Sequence, residues 1–206
     1  MGWFFNKKKE YEVAPDGARI YKYGKGTENT KSDNTFGIFK TQIEYSFLGN
    51  QNDQEFVMLA DETDTSNRVD VYVMLPSDKM PYYLIFTVGM SDLKMNVPRE
   101  VGNKSLFERA ELYMLVEPTW GFKKEGNDES VMWVINAIRG LAKMPHLYNT
   151  WLGGGHTIPN GANYEPFSSD TKYNGIILLD LNTINELQID RKTVINFYAV
   201  TLTYKE

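Results

Sequence analysis

The stretch Pro145-His-Leu-Tyr-Asn-Thr-Trp-Leu-Gly-Gly-Gly-His-Thr-Ile-Pro-Asn-Gly161 is the most distinctive part of this chain of 206 residues. It contains both histidines of the chain and four of its 16 glycines. Glycine reaches positive φ angles at little cost, so a segment this rich in glycine is expected to follow one unusual backbone path. The aromatic and imidazole groups beside the glycines predict a shaped surface loop that carries function.

Apolar residues at helical spacing predict one helix on each side of the middle of the chain. The first is expected from an N-cap at Asp33 to about Phe47, and the second from Ser130 until Pro145 ends it. Their apolar faces are formed by Phe36, Phe39, Ile43 and Phe47 in the first helix and by Val131, Val134, Ile135, Ile138, Leu141 and Ala142 in the second.

Alternating or continuous apolar runs predict the strands. These runs cover residues 69–75, 82–88, 110–116, 175–181 and 195–204, with one short strand at 20–23. Residues 51–68 and 121–129 are expected to be loops, and 182–194 a polar hairpin or turn. Since strands and helices do not alternate regularly, a doubly wound sheet is disfavoured.

The predicted fold class is therefore α+β, with a mixed, largely antiparallel sheet of about five or six strands packed with helices. The length suits a single domain over residues 1–206. Residues 1–32 form a polar, more variable lead-in, and residues 33–206 form the core.

Composition excludes several classes of function. The chain has no cysteine, so disulfides and thiolate-based sites are impossible. A net charge of −5 argues against a nucleic-acid partner and suits a basic protein partner. No segment approaches a membrane-spanning length, and the N-terminus lacks the order of a signal peptide. We expect a soluble cytoplasmic protein with no membrane partner.

The histidines raise the possibility of a metal site. His146 and His156, with Asp92, Glu165 or Asp170, could in principle hold zinc or non-haem iron. However, the two histidines lack the spacing of three or four residues that is typical of ligands on a helix. Histidines of this kind more often bond to backbone carbonyls and hold a loop in shape. The expectation is no metal and no cofactor.

Catalytic motifs are equally weak. Ser91, Asp92 and His156 could be drawn as a hydrolase triad, but no G-x-S-x-G elbow surrounds the serine. The glycines at 153–155 are not followed by the Lys-Ser/Thr pair of a phosphate-binding loop. We expect no catalytic residue and no enzyme, although a small hydrolase or metal enzyme using His146 and His156 stays open as an alternative.

Protein binding is the function that these residues favour. Tryptophan is enriched at interface hot spots, and Trp151 lies in the glycine segment, whereas Trp133 is expected to pack in the core. The acidic segment around 51–64 is either a solvated loop or a docking face for a basic partner. His146 and Asn160 are expected to hold the backbone in shape. The candidate partner-binding residues are Ser91, Asp92, Trp151, His156, Asn160, Asp61, Glu62 and Asp64.

Motifs along the chain resemble those of one known family. In order, they are Gly89-Met-Ser-Asp-Leu-Lys-Met-Asn-Val-Pro98, Ala110-Glu-Leu112 with Pro118-Thr-Trp120, the segment from Pro145 to Gly161, Thr171-Lys-Tyr-Asn-Gly175, and Ile195-Asn-Phe-Tyr198 leading to Tyr204-Lys-Glu206. Together they resemble the suppressor of fused domain in its short bacterial form. The resemblance covers roughly residues 55–206.

The resemblance implies a protein-binding inhibitor without catalysis. Bacterial members resemble immunity proteins, which bind the catalytic domain of a cognate polymorphic toxin in the cytoplasm and block its active site. Animal members resemble intracellular regulators that restrain a transcription factor, so an adaptor that binds an endogenous protein is the alternative. Short members usually continue into a C-terminal helix, whereas this chain stops at Glu206.

Overall fold

The computed structural model describes residues 11–13, 19–21, 36–49, 55–62, 65–122, 129–181, 184 and 186–204. Most of the predicted lead-in over 1–32 lies outside these residues. The described part of the lead-in forms two short strands, Tyr11–Val13 (β1) and Arg19–Tyr21 (β2), which pair with each other antiparallel. This pair is a separate small sheet.

The remaining strands belong to the main sheet, which has eight strands within the described residues. They are Phe56–Leu59 (β3), Asp70–Met74 (β4), Tyr83–Val88 (β5), Ala110–Val116 (β6), Thr157–Pro159 (β7), Gly175–Leu179 (β8), Leu187–Gln188 (β9) and Val194–Thr203 (β10). The order across the sheet is β3-β4-β5-β6-β10-β8-β7, and β9 pairs with β10. Among the described strands, β6 and β10 alone pair in parallel, which confirms the predicted mixed, largely antiparallel sheet.

Three short strands lie where the sequence predicts loops or turns. β3 falls in the acidic segment 51–68, β7 in the glycine segment, and β9 in the polar stretch 182–194. Each has two to four residues, too few for a clear alternating pattern. Their neighbours β4, β8 and β10 supply the pairing that makes them strands.

The helices are Lys40–Leu48 (α1) and Glu129–Leu147 (α2). The predicted start of α1 was too early, since residues 36–39 form a turn; the expected N-cap Asp33 lies outside the described residues. The prediction that Pro145 ends α2 was wrong as well. Proline has no N–H to donate, but the helical bonding resumes beyond it, because Tyr148 N–H donates to the Met144 carbonyl at 3.0 Å.

Each helix covers one face of the sheet. α2 packs its buried residues Val134, Ile135 and Ile138 on one core cluster. α1 packs Ile43 and Phe47 on the other, where the Phe47 ring stacks on Phe86 with centroids 4.2 Å apart. Together these layers form a single α+β domain.

Strand polarity determines where the loops lie. Several connections meet at one end of the sheet. They are those that follow β3, β5 and β8 and those that enter β4, β6 and β7. We call this the loop end. It brings together the 61–68 loop, of which residues 61–62 and 65–68 are described, the segment 89–98 and the glycine segment. These parts are distant in sequence and carry most of the candidate residues.

Candidate functional site

The segment 89–98 is the centre of the loop end. It begins at Gly89, whose φ of 115° is accessible to glycine, and it continues as a short 3-10 helix over Met90–Asp92. A Cβ at Gly89 would lie 2.5 Å from the carbonyl oxygen of Arg68. Glycine is therefore required both by the backbone angle and by the close approach of the 61–68 loop.

The buried side chain of Glu111 holds this segment in place by hydrogen bonds. Glu111, on β6, has no solvent exposure, and its Oε1 accepts hydrogen bonds from the backbone N–H groups of Gly89 and Ser91, each at 3.0 Å. The Ser91 hydroxyl donates to the same oxygen at 2.7 Å, and the Thr87 hydroxyl donates to Oε2 at 2.6 Å. Burial raises the pKa of Glu111 to about 7, although these hydrogen bonds oppose the rise.

Asp92 joins the segment to the turn that precedes α1. Its Oδ2 accepts the N–H of Gly37 at 2.5 Å, and its Oδ1 accepts the N–H of Phe39 at 3.4 Å. Burial raises the pKa of Asp92, while the backbone hydrogen bonds and the nearby Arg109 act in the opposite direction. Arg109 also donates to the Ser91 carbonyl and lies over the Phe39 ring, 5.2 Å from its centroid.

The far side of the segment is fixed to the end of α2. His146 Nε2 lies 3.2 Å from the Met90 carbonyl oxygen and donates to it in the tautomer with the proton on that nitrogen. Asn96 N–H donates to the Thr150 carbonyl at 2.9 Å, and its side chain donates to the Asn149 carbonyl at 3.2 Å. The contact of His146 fits the structural role expected from the sequence.

The glycine segment is tied to β8. Gly155 N–H donates to the Leu178 carbonyl at 2.7 Å, and Leu178 N–H donates back to the His156 carbonyl at 2.9 Å. A Cβ at Gly153 would lie 2.7 Å from the Trp151 ring, so the absence of a side chain there lets the indole lie against the loop.

Trp151 and His156 form one aromatic unit. Their rings meet edge to face, with centroids 4.5 Å apart and an interplanar angle of 78°. Both side chains are half-buried, and burial lowers the pKa of His156. The imidazole is therefore neutral at physiological pH, so it packs against the indole without a charge.

Exposed residues complete a surface that the sequence reasoning missed. At the end of α2, Leu147 is 51% exposed and Tyr148 is 46% exposed, and Asn96 is exposed on the neighbouring segment. We call Asn96, Leu147, Tyr148, Trp151 and His156 the loop-end surface. In the sequence, the only indication that Leu147 and Tyr148 are exposed is their position just before Trp151. Apolar residues beside a helix end are equally compatible with a place in the core.

Comparison with known proteins identifies the family. A family model described as Suppressor of fused protein (SUFU) matches residues 65–206, more than half of the chain. The chain belongs to the suppressor of fused family. This confirms the resemblance noted in the motifs, and the family is one of protein-binding, regulatory proteins. No curated protein matches the chain.

Solved structures of suppressor of fused proteins share the fold. A protein described as a SUFU homologue from Neisseria gonorrhoeae FA 1090 is 8% identical, with a TM-score of 0.51 over 81% of this chain and 78% of that chain. The structure of the Sufu–Fu complex is 11% identical, with a TM-score of 0.50 over 84% of this chain and 77% of that chain.

The acidic candidates of this suppressor of fused family member divide into buried and exposed groups. Asp61 is buried, pairs with Lys143 of α2 and accepts the N–H of Val69 at 3.2 Å. It therefore holds the 61–68 loop on α2 and is not available for the direct partner contact that the sequence suggested. Glu62 is exposed, while Asp64 lies outside the described residues.

Ser91 and Asp92 require the same correction. Both are buried, and their polar atoms bond to Glu111 and to the turn at 36–39. They shape the loop end from inside, so a direct contact with a partner is no longer assigned to them. Asn160 is half-buried and braces its own loop, since its side-chain amide donates to the Glu165 carbonyl at 2.8 Å.

The geometry bears on the enzyme alternative as well. The Ser91 hydroxyl donates to Glu111, and His156 packs against Trp151. Across the residues that the structure describes, no group of three or more His, Asp or Glu side chains is placed to hold a metal ion. In the same part of the chain, none of the helices is both long and apolar enough to cross a membrane.

Proposed function

We propose that this protein is a cytoplasmic immunity protein that neutralises a cognate polymorphic toxin by stoichiometric binding. In this proposal the protein is not an enzyme. It covers the active site of the toxin's catalytic domain with the loop-end surface. Tight inhibitory interfaces bury about 1,600 Å² in total and depend on a few aromatic anchors.

The observation that carries the proposal is that exposed Leu147 and Tyr148 and half-buried Trp151 lie on a backbone held by hydrogen bonds. Tyr148 and Trp151 flank residues whose backbone groups bond to the 89–98 segment. A surface that is already ordered loses little conformational entropy on binding, so its aromatic side chains contribute more to affinity. The net charge of −5 would also speed association with a basic toxin domain.

A regulatory adaptor is the second candidate, and a specific comparison favours it. One of the two similar structures is that of Sufu in complex with Fu, so a protein of this fold binds another protein. The same loop-end surface would then bind an endogenous protein of the host cell. The two candidates differ in the partner and not in the mode of action.

Alanine variants test the proposed surface. Trp151→Ala and Tyr148→Ala are each expected to weaken partner binding by about 2 kcal/mol, roughly 30-fold, because both remove large apolar anchors. Tyr45→Ala is the matched control, since Tyr45 is 61% exposed on α1, which packs on the opposite face of the sheet from α2. Titration calorimetry with the purified toxin domain gives the affinities. Unchanged affinity in both loop-end variants would remove this surface from the proposal.

A further inference from the structure

An aromatic cluster lies at the end of the sheet opposite the loop end. β6 and β10 end there and β8 begins there, because β10 pairs parallel with β6 and antiparallel with β8. Its side chains follow β6 and β10, precede β8 or belong to the first two turns of α2. We call them the far-end cluster, which consists of Trp120, Trp133, Phe167, Tyr173 and Tyr204.

The rings of the far-end cluster form a continuous series. The Trp133 centroid lies 5.7 Å from that of Trp120 and 5.8 Å from that of Phe167. Tyr173 continues the series, 6.5 Å from Trp133 and 6.4 Å from Tyr204. The Trp133 and Phe167 rings are nearly parallel at 14°, but the other pairs are tilted by 31° to 58°. Tilted rings do not cover one another's faces completely.

The far-end cluster is partly exposed although it borders the core. Trp120, Trp133 and Phe167 pack against the core cluster under α2, yet each keeps part of its surface exposed. Tyr173 is also partly exposed, and Tyr204 is 54% exposed. The sequence predicts Trp133 in the core, and the structure shows that it packs there without being fully covered. Partly exposed Trp and Tyr side chains of this kind are typical of binding surfaces.

Backbone hydrogen bonds fix the loop that carries two of these rings. Phe167 N–H donates to the Tyr173 carbonyl at 2.9 Å, and Asn160 N–H donates to the Asn174 carbonyl at 2.8 Å. Asn174 N–H donates in turn to the Thr203 carbonyl at 3.0 Å, which ties the loop to the end of β10. The rings are therefore presented by an ordered backbone, so binding here costs little conformational entropy.

Exposed carboxylates surround the far-end cluster. Glu117 lies in the same short turn as Trp120, whose N–H donates to the Glu117 carbonyl at 3.1 Å. Glu165 and Asp170 lie in the loop between β7 and β8, on either side of the phenylalanine of the cluster, and both are exposed. Among the described residues of these two connections, Lys172 is the only base. The described surroundings are therefore net negative and attract a cationic group.

Aromatic rings beside carboxylates match the guanidinium group of arginine. A guanidinium stacks on an aromatic face and can donate paired hydrogen bonds to a carboxylate at the same time. The lysine ammonium is a strongly hydrated point charge and matches this arrangement less well. Side chains at alternate positions of an extended segment lie about 6.6 Å apart, close to the ring spacings of the cluster.

We propose that the far-end cluster binds an extended segment of a partner protein that carries arginine at alternate positions. The guanidinium groups stack on the rings and pair with Glu117, Glu165 and Asp170. The contact is made by side chains and lies at the opposite end of the sheet from the loop-end surface. The inference therefore goes beyond the proposed function and gives this protein a second site for a protein partner.

Nuclear magnetic resonance of the full chain with synthetic peptides tests the proposal. The probe is a peptide in which arginine alternates with glycine, and matched peptides carry lysine or citrulline, the uncharged analogue of arginine. At low salt the arginine peptide is expected to shift the indole N–H signals of Trp120 and Trp133 saturably, while the signal of Trp151 at the loop end stays in place. The lysine peptide should bind about fivefold more weakly, and the citrulline peptide should not saturate.

Variants at exposed positions locate the contact. Tyr204→Ala removes the most exposed ring of the cluster, and the double variant Glu117→Gln, Asp170→Asn removes two carboxylates. Each is expected to weaken binding of the arginine peptide by about fivefold. Tyr45→Ala on α1 and Glu62→Gln at the loop end are the matched controls and should bind like the parent. All these positions are exposed, so every variant is expected to fold.

Three outcomes overturn the inference. They are an arginine peptide that binds no more tightly than either matched peptide, no shift of the Trp120 and Trp133 signals at about 2 mM peptide, and binding that neither far-end variant weakens. The affinity of the loop-end variants for the toxin domain tests the proposed function separately. Failure of the peptide test therefore leaves the proposed function standing, and failure of the toxin test leaves the arginine site standing.

Discussion

Replacing Glu111 with glutamine should remove a specific pH dependence from the stability of the protein. Glu111→Gln keeps the shape of the side chain and takes away its charge. The retained oxygen still accepts from Gly89 and Ser91, and the new amide donates to the Thr87 hydroxyl oxygen. The Thr87 hydroxyl can then donate to the Leu112 carbonyl, 3.4 Å away. The variant is therefore expected to fold.

The magnitude follows from the pKa of the buried carboxyl group. Burial raises the pKa of Glu111 from its ordinary 4.5 to about 7, so the folded protein holds a proton that the unfolded chain releases. The resulting stabilisation is fully present below pH 4.5 and is lost as the pH rises through about 7. A tenfold difference in proton affinity corresponds to about 1.4 kcal/mol, so the total loss is about 3 kcal/mol.

Urea unfolding between about pH 4.5 and about pH 8 measures this effect. The free energy of unfolding of Glu111→Gln, relative to that of the parent, should rise by about 3 kcal/mol over this range. Asp92 and His156 also have shifted pKa values, but they contribute equally to the variant and the parent. Their contributions therefore cancel when the two free energies of unfolding are subtracted. Glu108→Gln is the control, because Lys94 lowers the pKa of Glu108 and moves its effect below this range. Parallel pH profiles for Glu111→Gln and the parent would refute the reasoning.

Two further predictions concern the packing of the loop end and are checked by the same unfolding measurements. In Gly89→Ala the free energy of unfolding should fall by at least about 2 kcal/mol, because the φ of 115° strains an alanine and the new Cβ would meet a carbonyl oxygen. The control Gly102→Ala has open space around its Cβ, so its free energy of unfolding should change by less than about 1 kcal/mol. In Asp61→Asn the free energy of unfolding should fall by about 3 kcal/mol, because Lys143 keeps its charge beside a neutral amide. In Glu62→Gln, at an exposed position, it should stay within about 0.5 kcal/mol of the parent value. Equal losses within either pair would contradict these assignments.

The regular elements were predictable from the sequence because their patterns are long. The seven residues of β6 lie at the predicted positions, and β4, β5, β8 and β10 differ only at their ends. The fold class followed from the irregular order of these elements. β3 escaped prediction because four residues carry little periodicity, and its strand state depends on pairing with β4.

The candidate site was harder to predict because burial is a tertiary property. Glu111 reads as the polar face of an alternating strand, yet it is buried beneath the 89–98 segment. Asp61 reads as part of an acidic surface, yet the fold brings Lys143 against it from 82 positions further along the chain. Trp151 was identified correctly as part of a shaped loop, because three glycines beside an aromatic residue form a local signal.

Co-expression with the product of the adjacent gene tests the proposed function most directly. If that product is toxic, we predict that this chain restores growth, co-purifies with the product as a one-to-one complex, and does neither when it carries Trp151→Ala together with Tyr148→Ala. Tyr45→Ala should restore growth like the parent. An adjacent product that is not toxic, or a toxic one that this chain neither binds nor neutralises, would contradict the immunity function.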